Sequence, residues 1–226
     1  STTSSYTITP TKEGKYIQAV ISYTDDEGFS ETVTTSSLEI PIELVIRGNS
    51  LYTIVDGPSM WTEAEAHSNK LGGHLVTIND AEENKFIFDI YKPLNQERLL
   101  IGYHDSNVEG QWEWISGESV SYENWFNNGP SNPTSGANYI RDYADIYTNH
   151  TSEGTDGKWG YSSNDHAAFG IAETPFIRRG DSAYVVVEGP TWEEAEANAN
   201  KLGGHLVTIN DADENQWLVD NNLVGW

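Results

Sequence analysis

Hydrophobic and polar positions between residues 52 and 72 predict a short strand followed by a helix. Residues 52–55 have the β-rich composition of a strand. The run Glu-Ala-Glu-Ala at 63–66 favours a helix, which we expect over 60–71. Gly72 follows this segment, and because glycine adopts the left-handed conformation without strain, it marks the helix end.

The next positions repeat this order of strand and helix. Residues 75–78, Leu-Val-Thr-Ile, predict a second strand. Asp80 and Glu83 have the spacing of a capped helix start, and we expect this helix to cover 81–91.

The chain beyond this point predicts three further strands and one long loop. The strands are expected at 99–103, 112–115 and 169–173. Residues 116–160 are too polar for a regular element and too rich in aromatic residues for a linker, so they predict a folded loop of the kind that carries function. The predicted core consists of Leu75, Val76, Ile78, Ile101, Trp112, Trp114, Trp125, Trp159, Phe169 and Ile171.

An internal repeat organises the chain. Residues 69–81 recur letter for letter at 200–212, and the match extends on both sides of this segment. The spacing between the two segments, from 69 to 200, is long enough for a whole domain, so the repeating unit is a domain. We therefore expect one complete copy over 47–178 and the N-terminal part of a second copy over 179–226.

The second copy lacks the predicted long loop and final strand, so its helices should leave apolar side chains uncovered. We accordingly expect faster amide exchange over 184–220 than over 52–90. The side chains expected to be uncovered are Trp192, Leu202, Val207, Ile209, Trp217 and Leu218.

Residues 1–46 have a different pattern, which predicts β structure. Segments 16–23 and 29–35 flank a turn and predict a hairpin, and 38–44 alternates like an edge strand that tolerates Pro41. These strands are too few for a complete sandwich. With the motif Gly-Lys…Ser-Tyr-Thr-Asp…Gly…Glu, the segment resembles part of an immunoglobulin-like repeat of bacterial surface proteins.

Composition and charge exclude several classes of function. The 35 acidic residues outnumber the 12 Lys and Arg and give a formal net charge of −23, which repels nucleic acids. No apolar run has the length of a membrane span, so membrane insertion is not expected. The chain has no cysteine, which excludes thiol catalysis and disulfides. It also begins without Met or a signal-peptide pattern, as expected for a segment of a longer protein.

The order of motifs over 49–174 resembles the C-type lectin-like domain. The resemblance implies an α+β fold with two helices, small antiparallel sheets and a long loop. The motifs that carry it are Gly-Gly-His-Leu-Val-Thr-Ile at 72–78, Leu-Ile-Gly-Tyr at 100–103, Trp-Glu-Trp-Ile at 112–115, Tyr-Glu-Asn-Trp at 122–125, Asp-Tyr-Ala at 142–144 and Lys-Trp at 158–159.

The same resemblance implies two disulfides in relatives that have them. They would join Ser68 to Ala172 and Tyr143 to Asn164, and none of these four residues is cysteine. Packing alone must therefore hold the long loop.

The family's sugar site is a Ca²⁺ ion held by oxygen donors, and this chain departs from that pattern. The family's Glu-Pro-Asn aligns with Pro-Ser-Asn at 130–132, so the amide of Asn132 is the one donor retained. A later family Glu aligns with Arg141, and Trp-Asn-Asp aligns with Trp-Gly-Tyr at 159–161. Because Ca²⁺ requires about six to eight oxygens, we expect the family's calcium site to be absent.

Other oxygens in the same region could rebuild a cation site. Asn132, Asp142 and Asp165 are the candidate metal ligands, and Ca²⁺ is the one candidate cofactor. The alternative is that these residues only form turns and hydrogen bonds. The full set of candidate ligand-binding residues is Asn132, Asp142, Trp159, Asn164 and Asp165.

Two functions are compatible with this sequence. The first is a non-catalytic module of a secreted or surface-attached, adhesin-like bacterial protein, which binds a glycan or a protein through the long loop. The second is a structural spacer of tandem domains with no specific ligand. An enzyme is not expected, because the chain shows no nucleophile–base motif and lacks the cysteine that formylglycine-type chemistry requires.

Overall fold

The computed structural model describes residues 45–130 and 141–223, together with the backbone of four short strands nearer the N terminus. The chain divides into a first unit, Ser1–Glu43, and a second unit, Leu44–Trp226. No helix in the described part of the chain combines the length and the apolar character needed to cross a membrane.

The first unit contains two antiparallel pairs of strands. β1 (Tyr16–Ile17) pairs with β4 (Leu38–Glu39), and β2 (Val20–Thr24) pairs with β3 (Ser30–Thr34). The β2–β3 pair confirms the predicted hairpin. Pro41 and the turn between β2 and β3 lie outside the described residues, and the immunoglobulin-like assignment stays a prediction.

The second unit has mixed α and β structure. Its described strands are β5 (Val45–Arg47), β6 (Ser50–Ile54), β7 (His74–Leu75), β8 (Arg98–His104), β9 (Glu113–Trp114), β10 (Tyr143–Tyr147), β11 (Trp159–Ser162), β12 (Phe169–Pro175), β13 (Ile177–Arg179) and β14 (Ser182–Tyr184). Its helices are α1 (Trp61–Lys70), α2 (Ala81–Tyr91), α3 (Trp192–Lys201) and α4 (Ala212–Asp220). Short 3-10 turns lie at Lys92–Leu94 and Phe126–Asn128.

One sheet holds the domain together, with the strand order β11-β10-β8-β12-β6-β5. β7 adds to β12, and β9 adds to β8. The strands β6 and β12 pair antiparallel, which confirms that the first and last predicted strands meet, whereas β12 and β8 run parallel. This arrangement places β10, β11 and the loop segments around them at one edge of the sheet.

Both predicted helices of the first copy form, within one residue of the expected bounds. The Asp80 carboxylate accepts a hydrogen bond from the backbone N–H of Glu83 at 2.7 Å and so caps α2. α1 is preceded by Met60, whose backbone N–H donates to Glu63 Oε2 at 3.2 Å. Gly72 lies just after α1 with φ of +80°, as expected for the helix end.

The predicted core is largely confirmed. Trp112, Trp125 and Phe169 are corrections, because they are only partly buried. The predicted strand over 75–78 is also shorter than expected: Val76 hydrogen-bonds to both Ile171 and Gly102, and extends between β12 and β8 without forming a ladder. The fully buried members of the predicted core are Leu75, Val76, Ile78, Ile101 and Ile171, with Trp114 and Trp159 almost or fully inaccessible.

The second copy repeats the local structure of the first. In the first copy, Glu65 accepts from the ring of His74 and, at 2.8 Å, from the backbone N–H of Leu75. In the second copy, Glu196 accepts from His205 and, at 2.9 Å, from the backbone N–H of Leu206. The identical residues therefore form the same hydrogen bonds after each helix, although only the first copy has a strand, β7, at this point of the described chain.

Part of the second copy packs against the first. Leu202 belongs to the same buried cluster as Trp61 and Leu71, and the backbone N–H of Glu188 donates to the carbonyl of Lys70 at 2.9 Å. The expectation that Leu202 would be uncovered is therefore wrong, since it is only 7% exposed.

Leu218 is buried as well, at 2% exposure, which corrects a second member of the expected uncovered set, and Trp217 is half-buried. The other expectations for this face are confirmed. Trp192, Val207 and Ile209 are 67%, 50% and 47% exposed.

Candidate functional site

A pocket of about 500 Å³ opens at the edge of the sheet formed by β10 and β11. These strands pair antiparallel, with Asp145 opposite Gly160, and the 3-10 turn at Phe126–Asn128 closes one side. The described residues that line the pocket are Arg98, Phe126, Asn127, Gly129, Arg141, Tyr147, Trp159, Gly160, Tyr161, Ser162, Ser163 and His166.

Trp159, which is fully buried, forms part of the wall of the pocket. Its indole Nε1 donates to Asn84 Oδ1 at 2.7 Å, and its ring packs edge-on against Trp114 and Trp125. Asn84 belongs to α2 and also donates to the backbone oxygen of Gly157 at 2.9 Å. These contacts tie the end of the loop region to the helix without disulfides.

The floor of the pocket requires a glycine at position 160. A Cβ atom there would lie 2.5 Å from the Tyr147 hydroxyl and 2.6 Å from Asp145 Oδ1, closer than real Cβ contacts. Because Gly160 has no side chain, the side chains of Tyr147 and Asp145 can lie over it, and Tyr147 lines the pocket.

The carboxylate of Asp145 lies behind this floor, and it offsets the charge of Arg98. Asp145 is fully buried, and its Oδ2 accepts from Arg98 Nη1 at 3.2 Å. Burial raises the pKa of Asp145, while the charge of Arg98 opposes that rise. Arg98 also donates to Glu97 at 3.0 Å, and its guanidinium lies 5.2 Å from the centre of the Tyr147 ring.

Burial also raises the pKa of Tyr147, with a further contribution from the negative charge of Asp145. The phenol is therefore protonated at neutral pH and can both donate and accept a hydrogen bond. Phe126 packs edge-on against its ring, with 6.2 Å between the ring centres.

Arg141 supplies the second guanidinium of the pocket. Its guanidinium lies 5.0 Å from the centre of the Tyr161 ring, in cation–π contact. Among residues 45–130 and 141–223, no carboxylate forms an ion pair with it. Arg141 therefore differs from Arg98, whose charge is offset by two carboxylates.

The residues predicted from the sequence are only partly brought together. Trp159 borders the pocket, whereas Asn132 lies outside the described residues. Asn164 binds Thr62 at the start of α1, where its Oδ1 accepts from the backbone N–H at 3.2 Å. Asp165 accepts a short hydrogen bond from the hydroxyl of Ser163.

Asp142 lies in a different environment. It is half-buried, its backbone oxygen accepts from Asp105 at 3.0 Å, and burial together with the charge of Asp105 raises its pKa. In the part of the chain that the structure describes, no group of three or more His, Asp or Glu side chains could hold a metal ion.

Several pocket residues were missed by the sequence analysis. Arg98 comes from β8, and only the pairing of Arg98 with Tyr147 brings it to the site. The alternation of Tyr143, Asp145 and Tyr147 along β10 was a usable signal, because residues two apart in a strand share one face.

Comparisons with known proteins agree with this fold. Residues 58–164 match the family model of the lectin C-type domain. The chain is 33% identical over 87 residues to a perlucin-like protein of Mytilus galloprovincialis. This match covers 37% of this chain and 55% of that protein. It is also 34% identical over 80 residues to the galactose-specific lectin nattectin of Thalassophryne nattereri. This match covers 34% of this chain and 50% of that protein. The chain thus spans about half the length of either relative.

A solved structure gives the same result. The carbohydrate-recognition domain of the mouse scavenger receptor C-type lectin superposes with a TM-score of 0.51 at 26% identity, over 58% of this chain and 95% of that chain. The second unit therefore has the C-type lectin fold. The two relatives named above are animal proteins, and the bacterial origin expected from the sequence stays a prediction.

The described residues do not fit the Ca²⁺ ion that the family's sugar site implies. The aligned positions hold Arg141, stacked on Tyr161, and Gly160, which has no side-chain oxygen. A second guanidinium, that of Arg98, lines the same pocket. A divalent cation here would meet positive charge where its carboxylate ligands are required.

Proposed function

We propose that the pocket of this C-type lectin fold binds carbohydrate, and that it does so without Ca²⁺. The match to the lectin family supports carbohydrate as the ligand, as do the names of a galactose-specific lectin and of a carbohydrate-recognition domain among the similar proteins. A protein ligand at the same pocket is the alternative that the sequence leaves open.

The observation that carries this proposal is the mixed chemistry of the pocket lining. Phe126, Tyr147 and Tyr161 contribute aromatic rings to the lining, while Asn127 and Arg141 contribute polar groups. A sugar ring presents C–H faces and hydroxyl groups in the same way. A concave site with apolar walls and a few directed polar groups is the usual form of a small-ligand site.

We propose a non-catalytic role because the described lining of the pocket holds no pair of groups that would cleave a sugar. Glycoside hydrolysis requires two carboxyl groups on either side of the bond, and none of the described lining residues is acidic. The carboxylate of Asp145, behind the pocket floor, is fully buried and paired with Arg98.

We also propose that the domain belongs to a secreted or surface-attached, adhesin-like protein in which lectin domains occur in tandem. The second copy of the repeat and the β structure of the first unit support this context.

A glycan array probed with the full chain tests the proposed function. We expect binding of the same glycans in CaCl₂ and in EDTA. Tyr147→Phe should weaken that binding, because it removes one hydroxyl from the pocket. Tyr184→Phe is the matched control and should leave binding unchanged, because the Tyr184 hydroxyl donates to Glu214 and neither residue is in the described pocket lining. An array with no bound glycan under either condition would refute the proposal.

The second candidate function is that of a structural spacer. The packing of Leu202 into the buried cluster of the first copy favours it, because this contact would fix the spacing of successive domains. The spacer function requires neither the pocket nor a ligand. An array without binding, together with a rigid connection between the copies in solution scattering, would favour it.

A further inference from the structure

We infer that the pocket selects a saccharide that carries a carboxylate, and that Arg141 binds this group. This inference rests on the proposed function, and it adds the chemical class of the ligand and the residue that distinguishes it. It goes beyond the names of the relatives given above, which are a perlucin-like protein and a galactose-specific lectin.

The charge of the pocket lining contrasts with that of the whole chain. The chain carries 35 acidic residues and only 12 Lys and Arg. The described lining nevertheless contains two guanidinium groups, those of Arg98 and Arg141, and no Asp or Glu. Cationic side chains in the lining of a pocket on a strongly acidic protein favour an anionic ligand group.

The two arginines of the pocket differ in their partners. Arg98 is held by Asp145 and Glu97, so its charge is already compensated. Arg141 lies over the Tyr161 ring and has no carboxylate partner among the described residues. A guanidinium in cation–π contact keeps its N–H donors, which can bind a ligand.

The shape of a guanidinium suits a carboxylate. A guanidinium presents parallel N–H donors that match the two oxygens of a planar carboxylate. Tyr147 and Asn127, which also line the pocket, are neutral and suit the hydroxyl groups of the same sugar. A carboxylate on a hydroxylated ring therefore matches both kinds of group, whereas a neutral sugar offers Arg141 no anionic partner.

The test is calorimetric titration of the full chain with matched acidic and neutral saccharides in EDTA. The pairs are sialyllactose against lactose, and an oligogalacturonate against the neutral galactose oligomer of the same length. We expect at least one acidic saccharide to bind about tenfold or more tightly than its neutral partner, as a charge-assisted hydrogen-bond pair allows.

Arginine variants identify the residue responsible. Arg141→Gln should remove most of the preference for the acidic saccharide and leave the weaker binding of the neutral one unchanged. Arg141→Lys should retain part of the preference, because it keeps the charge and loses the paired donors. Arg178→Gln is the matched control: this guanidinium also lies over an aromatic ring, 5.4 Å from the centre of Phe176, outside the pocket.

The outcomes separate this inference from the proposed function. Equal affinity for the acidic and neutral members of both pairs, unaltered by Arg141→Gln, would overturn the inference and leave carbohydrate binding in place. Equally tight, Arg141-dependent binding of sulfated lactose would overturn the assignment of a carboxylate in favour of any anionic sugar. Failure of every saccharide here and on the array would overturn both.

Discussion

At the scale of single residues, two tryptophans occupy equivalent positions of the repeat in different surroundings. Trp61 is 4% exposed, its indole Nε1 donates to the backbone oxygen of Ile101 at 2.8 Å, and its ring stacks on Tyr143. Trp192, at the same position of the second copy, is 67% exposed. The chain thus contains its own control for the contribution of this side chain to stability.

We expect Trp61→Ala to lower the free energy of unfolding by about 3–5 kcal/mol, because it leaves a cavity and an unpaired backbone oxygen. Trp192→Ala should change it by less than about 0.5 kcal/mol, as is usual for exposed positions. Urea unfolding of both variants measures the difference. Equal losses would show that Trp192 is buried in solution.

The carboxyl group of Asp142 should make stability depend on pH. Burial, and then the negative charge of Asp105, raise its pKa, and His104 opposes this rise. A carboxyl with a raised pKa in the folded state is harder to ionise there than in the unfolded chain. This carboxyl therefore does not destabilise the fold at pH values below its unfolded pKa of about 3.9. The destabilisation grows as the pH rises from there towards the folded pKa.

Asp142→Asn should accordingly raise the melting temperature at pH 7 and leave it nearly unchanged at about pH 3, where the native carboxyl is protonated in both states. Thermal unfolding at the two pH values measures this. A variant that is less stable than the native protein at pH 7 would mean that the ionised carboxylate has a stabilising partner.

At the scale of elements, the helices follow directly from local sequence. The α2 helix begins where Asp80 meets the backbone N–H of Glu83, and a contact between neighbours in the chain can be recognised without the rest of the fold. The strand expected over 75–78 is different, because Val76 divides its hydrogen bonds between β12 and β8. Its local sequence indicates extended backbone, and tertiary contacts decide the pairing.

The burial of the second copy was the least predictable feature of these elements. The two copies of the 13-residue segment have identical sequences, yet Val76 is fully buried and its equivalent, Val207, is 50% exposed. Burial depends on β8 and β12, which cover the first copy and have no described counterpart over the second. Leu202 is nevertheless buried, because it packs on the first copy.

The contact made by Leu202 predicts a specific change in dynamics. Leu202→Asp should separate α3 and α4 from the first copy and accelerate their amide exchange, while the amides of α2 exchange as before. Ile209→Asp is the control, because Ile209 is already 47% exposed. Hydrogen exchange of both variants measures the effect.

In the native chain we expect 184–220 to exchange faster than 52–90, because fewer buried contacts hold it. Equal protection of the two segments, or equal exchange of α3 in the Leu202→Asp and Ile209→Asp variants, would contradict this account of the docking.

At the scale of the whole molecule, the sequence indicates which calcium ligands are missing more clearly than it indicates which residues line the pocket. Arg141 and Gly160 stand at positions where the resembling family has oxygen donors, and this difference is visible by alignment alone. The contribution of Arg98 is not visible, because it depends on the register that sets Arg98 opposite Tyr147. The packing of Tyr147 and Asp145 against Gly160 likewise exists only once β10 and β11 have paired.

The central proposal is that the pocket lined by Arg98 and Arg141 binds its ligand without Ca²⁺. Calorimetric titration of CaCl₂ into the full chain, with Asn132→Ala as the control variant, tests it most directly. We predict no site tighter than roughly 10 µM, since bulk acidity supports only the weaker binding typical of extracellular modules. A single site tighter than this, present in the native chain and lost in Asn132→Ala, would contradict the claim.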